Sequence, residues 1–403
     1  MNLKNLLNES KSLQKEWINY RRFLHAHAET GFSLKDTTRF VTKTLKNMGY
    51  APVPCGKSGI VATVGNPKKS KHCFLLRADM DALPITEETD LDFAACNGNM
   101  HACGHDMHTA MLLGAAQLLK SHESQLNGVV KLMFQPAEEV LEGASDMLAA
   151  DVLKRPSVDA AMMIHVMTAT PLPTGTVIVA SGTSAPSADF FTIQVQGKGC
   201  HGSMPQEGVD ALNVAAYILL ALHSLSARET GISDKSLLTV GSFSAGKAAN
   251  VIADSATLKG TMRTFDEKLR ARLKKRVTEI AKTTAATFRA TAMVTFDSGC
   301  PCLINDITLS NFAENAAKKL LNADMVYPST VMDGGENSKS GGSEDFAYVT
   351  QKVPSVMLAL SAGELKKGFT YPLHHPKAAF DEESLYVGSA LYAAVAIQWL
   401  DKA

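Results

Sequence analysis

Aromatic side chains are scarce in this 403-residue chain, at 6% with two tryptophans, and nowhere do they interleave with clustered basic residues. The pattern therefore lacks the stacking platforms and cationic grooves of a nucleic-acid binder. Excess charge of one sign is also missing, because 40 Lys plus Arg face 40 Asp plus Glu. No broad field draws the chain to phosphate backbones or acidic membranes. No window approaches the roughly 18 uncharged apolar residues that span a bilayer. The opening MNLKNLLNESKSLQKEW breaks its leucines with charges and does not build the apolar core of a secretory signal. The seven cysteines, Cys55, Cys73, Cys96, Cys103, Cys200, Cys300 and Cys302, are odd in number and lack framework spacing. This composition implies a cytoplasmic protein in a reducing compartment, with Cys300-Pro-Cys302 too close for a redox CxxC and read as structural.

The length exceeds that of a single hydrophobic core, so two domains are expected. Apolar residues recur at helical spacing from Leu13 to about His27 and from Thr37 to Met48. Four short, almost wholly apolar runs follow, GIVATVG, CFLLRADM, VVKLMFQ and AAMMIHV, with a helix from His105 to Lys120 among them. Such runs alternating with helices imply an α/β sheet buried on both faces. From Asp189 the rhythm changes to strand, helix, two strands, charged helix, strand, which is the βαββαβ order of a ferredoxin-like unit. α/β features resume near Ser310. The expected fold is an α/β domain over 1–184 and 298–403, with a ferredoxin-like domain inserted over 185–297.

The densest chemistry lies in NMHACGHDMHTA, which places His101, Cys103, His105, Asp106 and His108 within eight positions. Thiolate and imidazole suit borderline-soft divalent ions, and Gly104 gives the backbone freedom to turn between Cys103 and His105. Capped helix and buried histidines form the plainer reading. QPAEEV puts Glu138 and Glu139 straight after a buried strand, where open α/β sheets bind ligands. One carboxylate there can take a proton from a water and the other can hold a metal. His165 ends the run AAMMIHV, His374 and His375 sit in a loop bracketed by prolines, and Asp79 and Asp81 leave a strand in position to orient imidazoles from behind. A rival covalent reading makes Cys103 a nucleophile served by nearby histidines. It leaves Glu138, Glu139, His165 and His374 without a task.

The collinear motifs RRFLHAHAETGF, LLRADMDALPI, NMHACGHDMHTAMLLGAA, LMFQPAEE, GCHGSMPQEGVDAL, NVIADSATLKGTMRTFD, GGSEDFAYV and PLHHPKAAFDE resemble the M20 metallopeptidase superfamily. The match is to its aminoacylase, hippurate-hydrolase and auxin-conjugate amidohydrolase branch, and it covers nearly the whole chain. The resemblance implies two divalent metal ions per subunit, with zinc first and manganese, cobalt or nickel as alternatives. It makes Cys103 the bridging ligand and His105, Glu139, His165 and His374 its companions, with Glu138 as general base. It also implies that His201 reaches a neighbouring subunit's site from an inserted lid, that Asn250 and Arg263 hold the substrate carboxylate, and that the lid mediates a homodimer. Ala28 and Ala253 replace the family's usual prolines, Cys200 a common Gly and Gln206 a common His. Asp79 stands where the wider superfamily has a metal-binding His.

The expected activity is metal-dependent hydrolysis of small N-acyl-L-amino acids, with acetyl, benzoyl or related acyl groups. Dipeptidase or carboxypeptidase activity is the nearer alternative, and a non-catalytic dimeric binding protein on the same fold the more distant one. Neither nucleic acid nor membrane is expected as a partner.

Overall fold

The computed structural model describes residues 2–331 and 341–402. It separates into two compact units, Met1–Ser184 with Ile304–Ser340 and Asp345–Ala403, and Ala185–Leu303 with Gly341–Glu344.

The first unit is built on a mixed sheet. Its strands are β1 (Val53–Cys55), β2 (Gly59–Gly65), β3 (Cys73–Asp79), β4 (Val129–Gln135), β5 (Ala160–Met167), β6 (Val177–Val179), and the later strands Val326–Pro328 and Ser355–Ser361. In space they run β1, β2, β4, β3, β5, Ser355–Ser361, β6, Val326–Pro328. β4, β3, β5 and Ser355–Ser361 are mutually parallel. Every residue of β3 and β4 is buried, as continuous apolar runs require when helices cover both faces. Three charged side chains in those strands, Arg77, Asp79 and Lys131, are buried as well, and each has partners. The Lys131 ammonium donates to the carbonyls of Val152, Lys154 and Pro156, each at 2.9 Å. The Arg77 guanidinium pairs with Asp79 at 2.7 Å and Asp345 at 3.0 Å, so none of these desolvated charges lacks partners.

Helices α1 (Leu3–Ala26), α2 (Lys35–Asn47), α3 (His105–Ser121) and Leu385–Leu400 share one apolar core with the sheet. α1 starts ten residues before the expected Leu13. The Asn2 side chain accepts from the Lys4 N–H at 2.9 Å, and Leu6 drops into the shared core. Three-and-four spacing of Leu3, Leu6 and Leu7 supports that turn, while intervening charges stay outside.

In the second unit, strands Ala188–Gln196, Ser236–Ala245, Ser255–Thr264 and Thr291–Cys300 and helices Ala211–Arg228 and Glu267–Thr287 follow the βαββαβ order. The sheet order is second, third, first, fourth, with all pairings antiparallel. This is the ferredoxin-like architecture the pattern implied. Asp210 and Asp266 cap the two helices through their carboxylates, and the apolar stripes of both helices pack in one core with the sheet. Cys300 and Cys302 are buried. Among the described residues one helix, Ala211–Arg228, is long and apolar enough to cross a membrane by length and composition, contrary to the expectation that no window approaches that length. Its buried residues, Val214, Ile218, Leu222 and Leu225 among them, recur every three or four positions as in an amphipathic helix.

Candidate metal centre

The parallel strands β3, β4 and β5 end together, and the segments leaving them carry the chemistry. β3 leads into Asp79 and Asp81, β4 into Glu138 and Glu139, and β5 holds His165 near its end. α3 begins at His105 with Gly104 as its N-cap, at φ +81°. A Cβ on Gly104 would lie 2.5 Å from the Val166 side chain and 3.0 Å from the Phe380 ring. Both backbone sign and space therefore demand glycine between Cys103 and His105. His374 also adopts positive φ, at 65°, and its N–H is tied to the Ala102 carbonyl at 2.9 Å. Such strain in a non-glycine residue persists only where surroundings enforce it.

These segments bring six side chains together. The potential ligand atoms of Cys103, His105 and His165, of Cys103, Glu139 and His374, and of His105, Glu138 and Glu139 each lie within 4.8 Å of one another. Cys103 Sγ is 3.5 Å from His165 Nε2, and His374 Nε2 is 3.7 Å from Glu139. His105 Nε2 is 3.8 Å from Glu139 and 3.9 Å from Glu138. The neighbouring His375 turns away, accepting the Lys377 N–H at 3.0 Å and stacking on Tyr371.

Hydrogen bonds fix which nitrogens face the centre. His105 Nδ1 donates to the Asp81 carbonyl at 2.8 Å, and His165 Nδ1 to the Val166 carbonyl at 2.7 Å. Each ring thus keeps its Nε2 lone pair for the cluster. His105 Nε2 and Glu139 Oε1 are buried without a hydrogen-bond partner. Two such buried groups facing each other are costly unless a proton or a cation lies between them, and a donor set of thiol, imidazoles and carboxylate fits a metal.

The electrostatics agree. Burial, with the nearby Glu139 and Glu138, pushes the Cys103 thiol well up. Burial, with Asp81 and Asp79, lifts Glu139 to about 7. Burial drops His165 to about 3, with His108 adding to the effect. Burial also opposes charge on His105, but Asp79 and Cys103 outweigh it and raise its pKa. An acid and a thiol that resist ionising together are stabilised as anions by a dication.

The Asp81 backbone carbonyl holds His105 Nδ1, and its carboxylate, 3.6 Å from that same nitrogen, also accepts the N–H groups of Glu138 and Glu139. Asp79 binds Arg77 and His108 and lies 3.6 Å from His105 Nε2. From the dense motif, His101 stays outside the cluster, fully buried. Asp106 faces α1 instead, bonded to Arg21 at 2.8 Å and His25 at 2.9 Å. Sequence reasoning missed Arg77, Gln135 and Asp345, which interlock behind the site. A charge in the middle of the apolar run CFLLRAD was the available signal.

His201, Asn250 and Arg263, the other residues expected to act on substrate, lie in the second unit. Cys200–His201 pairs with Val251–Ile252, and the Gly202 N–H bonds to the Asn250 carbonyl at 2.8 Å, so His201 and Asn250 flank one short ribbon. His201 Nδ1 faces the Ser203 hydroxyl at 2.8 Å and the Ser203 N–H at 3.2 Å. Arg263 is half-buried on strand Ser255–Thr264 and donates to the Ser343 hydroxyl at 2.7 Å.

Residues 75–398 match the family model described as Peptidase family M20/M25/M40. The chain is 34% identical over 390 residues to an N-acetylcysteine deacetylase of Bacillus subtilis, covering 96% of this chain and 97% of that one. It is 34% identical over 394 residues to the IAA-amino acid hydrolase ILR1-like 4 of Arabidopsis thaliana, covering 96% and 86%. The Bacillus subtilis YXEP protein, described as a dinuclear metal binding peptidase from M20 family, superposes with a TM-score of 0.80 at 32% identity, covering 98% of this chain and all of that one.

Proposed function

The chain belongs to peptidase family M20/M25/M40, and from its side-chain cluster we propose that it is an amidohydrolase that uses two divalent cations to cleave N-acyl-L-amino acids. One observation carries the reading: Cys103 belongs to two separate ligand groups, one with His105 and His165, the other with Glu139 and His374. Two cations held by these groups would have the Cys103 thiolate in common. The relatives named for N-acetylcysteine and IAA-amino acid hydrolysis support the substrate class. Thiolate with imidazole favours zinc, and manganese, cobalt or nickel would also accept this donor set.

Bound cations supply Lewis acidity and lower the pKa of a water toward neutrality. Glu138, next to ligand Glu139 and anchored by Asp81, takes the water's proton and passes it to the departing amine nitrogen. Ser203 donates to His201 Nδ1, which leaves the proton of neutral His201 on Nε2, the form able to donate to an oxyanion. Arg263 and Asn250 are assigned to the free carboxylate of the substrate, with Arg263 offering a two-pronged grip. A covalent cysteine route is disfavoured, because burial raises the Cys103 thiol where a nucleophile needs it lowered.

We propose the catalytic domain as 1–184 with 298–403 and the lid as 185–297. A homodimer through the lid is supported by exposed Leu212, Tyr217 and Leu220 on helix Ala211–Arg228 and by exposed Leu237 on the edge strand Ser236–Ala245. Scattered cysteines suit a cytoplasmic setting. Assaying the purified chain, reconstituted with each metal in turn, against N-acetyl, N-benzoyl and longer N-acyl amino acids tests the function. Metal-dependent release of free amino acid is expected, and inactivity across the panel with all four metals contradicts the reading.

A further inference from the structure

β3 and β5 are neighbours, yet their pairing stops early. The register runs from Phe74 with Ala160 to Arg77 with Met163, although β3 continues to Asp79 and β5 to Met167. On the other side of β5 the pairing with Ser355–Ser361 continues to Met167. Ala161 sends its N–H toward that side, to the Pro354 carbonyl, so the alternate N–H groups of Ile164 and Val166 point toward β3. Where β3 peels away, those two buried donors lose their ladder partners. A buried N–H left unpaired is destabilising, so a replacement acceptor is required.

Two side chains take the vacant places. Tyr392 Oη accepts the Ile164 N–H at 2.8 Å and donates to the Arg77 carbonyl at 2.7 Å. His108 Nε2 accepts the Val166 N–H at 2.8 Å, while its Nδ1 lies 2.6 Å from Asp79 Oδ1. Because an N–H points into Nε2, the ring proton sits on Nδ1 and donates to Asp79. Both His108 nitrogens are thereby used, which removes it from the ligand set despite its place in the histidine cluster. Both side chains are fully buried, and Asp79 is itself held by Arg77 at 2.7 Å. The residue between the two clamped amides is His165.

We propose that Tyr392 and His108 are positioning residues. They form a two-rung side-chain ladder that spans the diverging ends of β3 and β5 and holds His165 against Cys103. The gap these rungs keep open is the crevice in which the cluster stands. The proposal rests on His165 being a ligand, so the test must separate the two claims.

Cobalt(II) is titrated into chelator-stripped protein and followed by its visible absorption, with thermal melting in parallel. The variants are His165→Ala, His108→Ala, His108→Gln, Tyr392→Phe and, as a control that bonds to neither β3 nor β5, Tyr50→Phe, which deletes a buried hydroxyl bonded to the Ala116 carbonyl at 2.8 Å. His165→Ala is expected to abolish one ion. His108→Ala is expected to weaken that same ion by about 10–100-fold, the usual cost of losing an outer-shell partner. Glutamine can accept from Val166 and donate to Asp79, so His108→Gln recovers most of the loss. Tyr392→Phe shifts affinity in the same direction, and Tyr50→Phe lowers the melting temperature alone. If His108→Ala does not fold, His108→Gln and Tyr392→Phe against Tyr50→Phe still decide. Loss of an ion in His165→Ala with wild-type affinity in His108→Ala and Tyr392→Phe overturns the ladder and leaves the ligand reading standing. Two ions held normally by His165→Ala overturn both. Equal weakening in Tyr50→Phe and Tyr392→Phe marks general destabilisation and also overturns the ladder.

Discussion

The carboxylate of Asp81 holds the backbone N–H of Glu138 at 2.9 Å, and its second oxygen holds the next N–H, of Glu139, at 3.2 Å. One acid just beyond β3 therefore sets the position of both acids beyond β4. Asp81→Ala strips the acceptor from both amides, and a loss of about 10–100-fold in metal affinity is expected together with a fall in kcat. Asp81→Asn keeps one acceptor oxygen and should fall between. Metal titration with parallel turnover measurements checks the order.

Glu138 is assigned to proton transfer and Glu139 to the metal. Glu138→Gln should retain full metal content while kcat falls by about 10²–10⁴-fold, the usual worth of a positioned general base. Elemental analysis and kinetics on one preparation decide it, and near-normal turnover in the loaded variant removes Glu138 from the role.

Gly104→Ala places a methyl group 2.5 Å from Val166 at φ +81°. Overpacking of this kind costs about 1–3 kcal/mol, with strain at positive φ added. Urea unfolding of the metal-free protein should show a lower midpoint at unchanged slope, and an unaltered midpoint would mean that the turn relaxes freely.

Much of this was legible in the sequence, and the limits have physical reasons. Apolar runs alternating with helices imply the buried sheet, and the βαββαβ order implies the second unit. Residue chemistry flags the segments around Cys103, Glu138, His165 and His374, and the family resemblance narrows them to Cys103, His105, Glu139, His165 and His374, whose side chains share one cluster. Long-range pairing was not legible. Asp81 bonds to amides 57 and 58 positions away, and Arg77 meets Asp345 from 268 positions away. His108 looks like another ligand until the end of the β3–β5 register is known. The start of α1 was missed because its charged outer face dilutes the pattern that Leu6 completes only against the core.

The metal-free protein should lose stability as pH rises upward from about 6.5, with Glu139 contributing until about 7 and His105 continuing beyond it. Glu139 is lifted to about 7 and His105 is raised above its ordinary value. In that window the folded chain binds more protons than the unfolded one, and stability falls with pH. His165, at about 3 when folded, contributes the opposite slope only below its unfolded value near 6.5. Melting temperatures in chelator across this range check the sign. Added divalent cation should abolish the fall, because it favours the deprotonated ligands.

Two divalent cations sharing the Cys103 thiolate are the central claim, and anomalous diffraction from metal-loaded crystals at the metal edge tests it most directly. The expected result is two peaks per chain separated by about 3.5–4 Å, the spacing of two-metal sites, with Cys103 Sγ bonded to both. A single peak, or two peaks with the Cys103 sulfur bonded to neither, would contradict it.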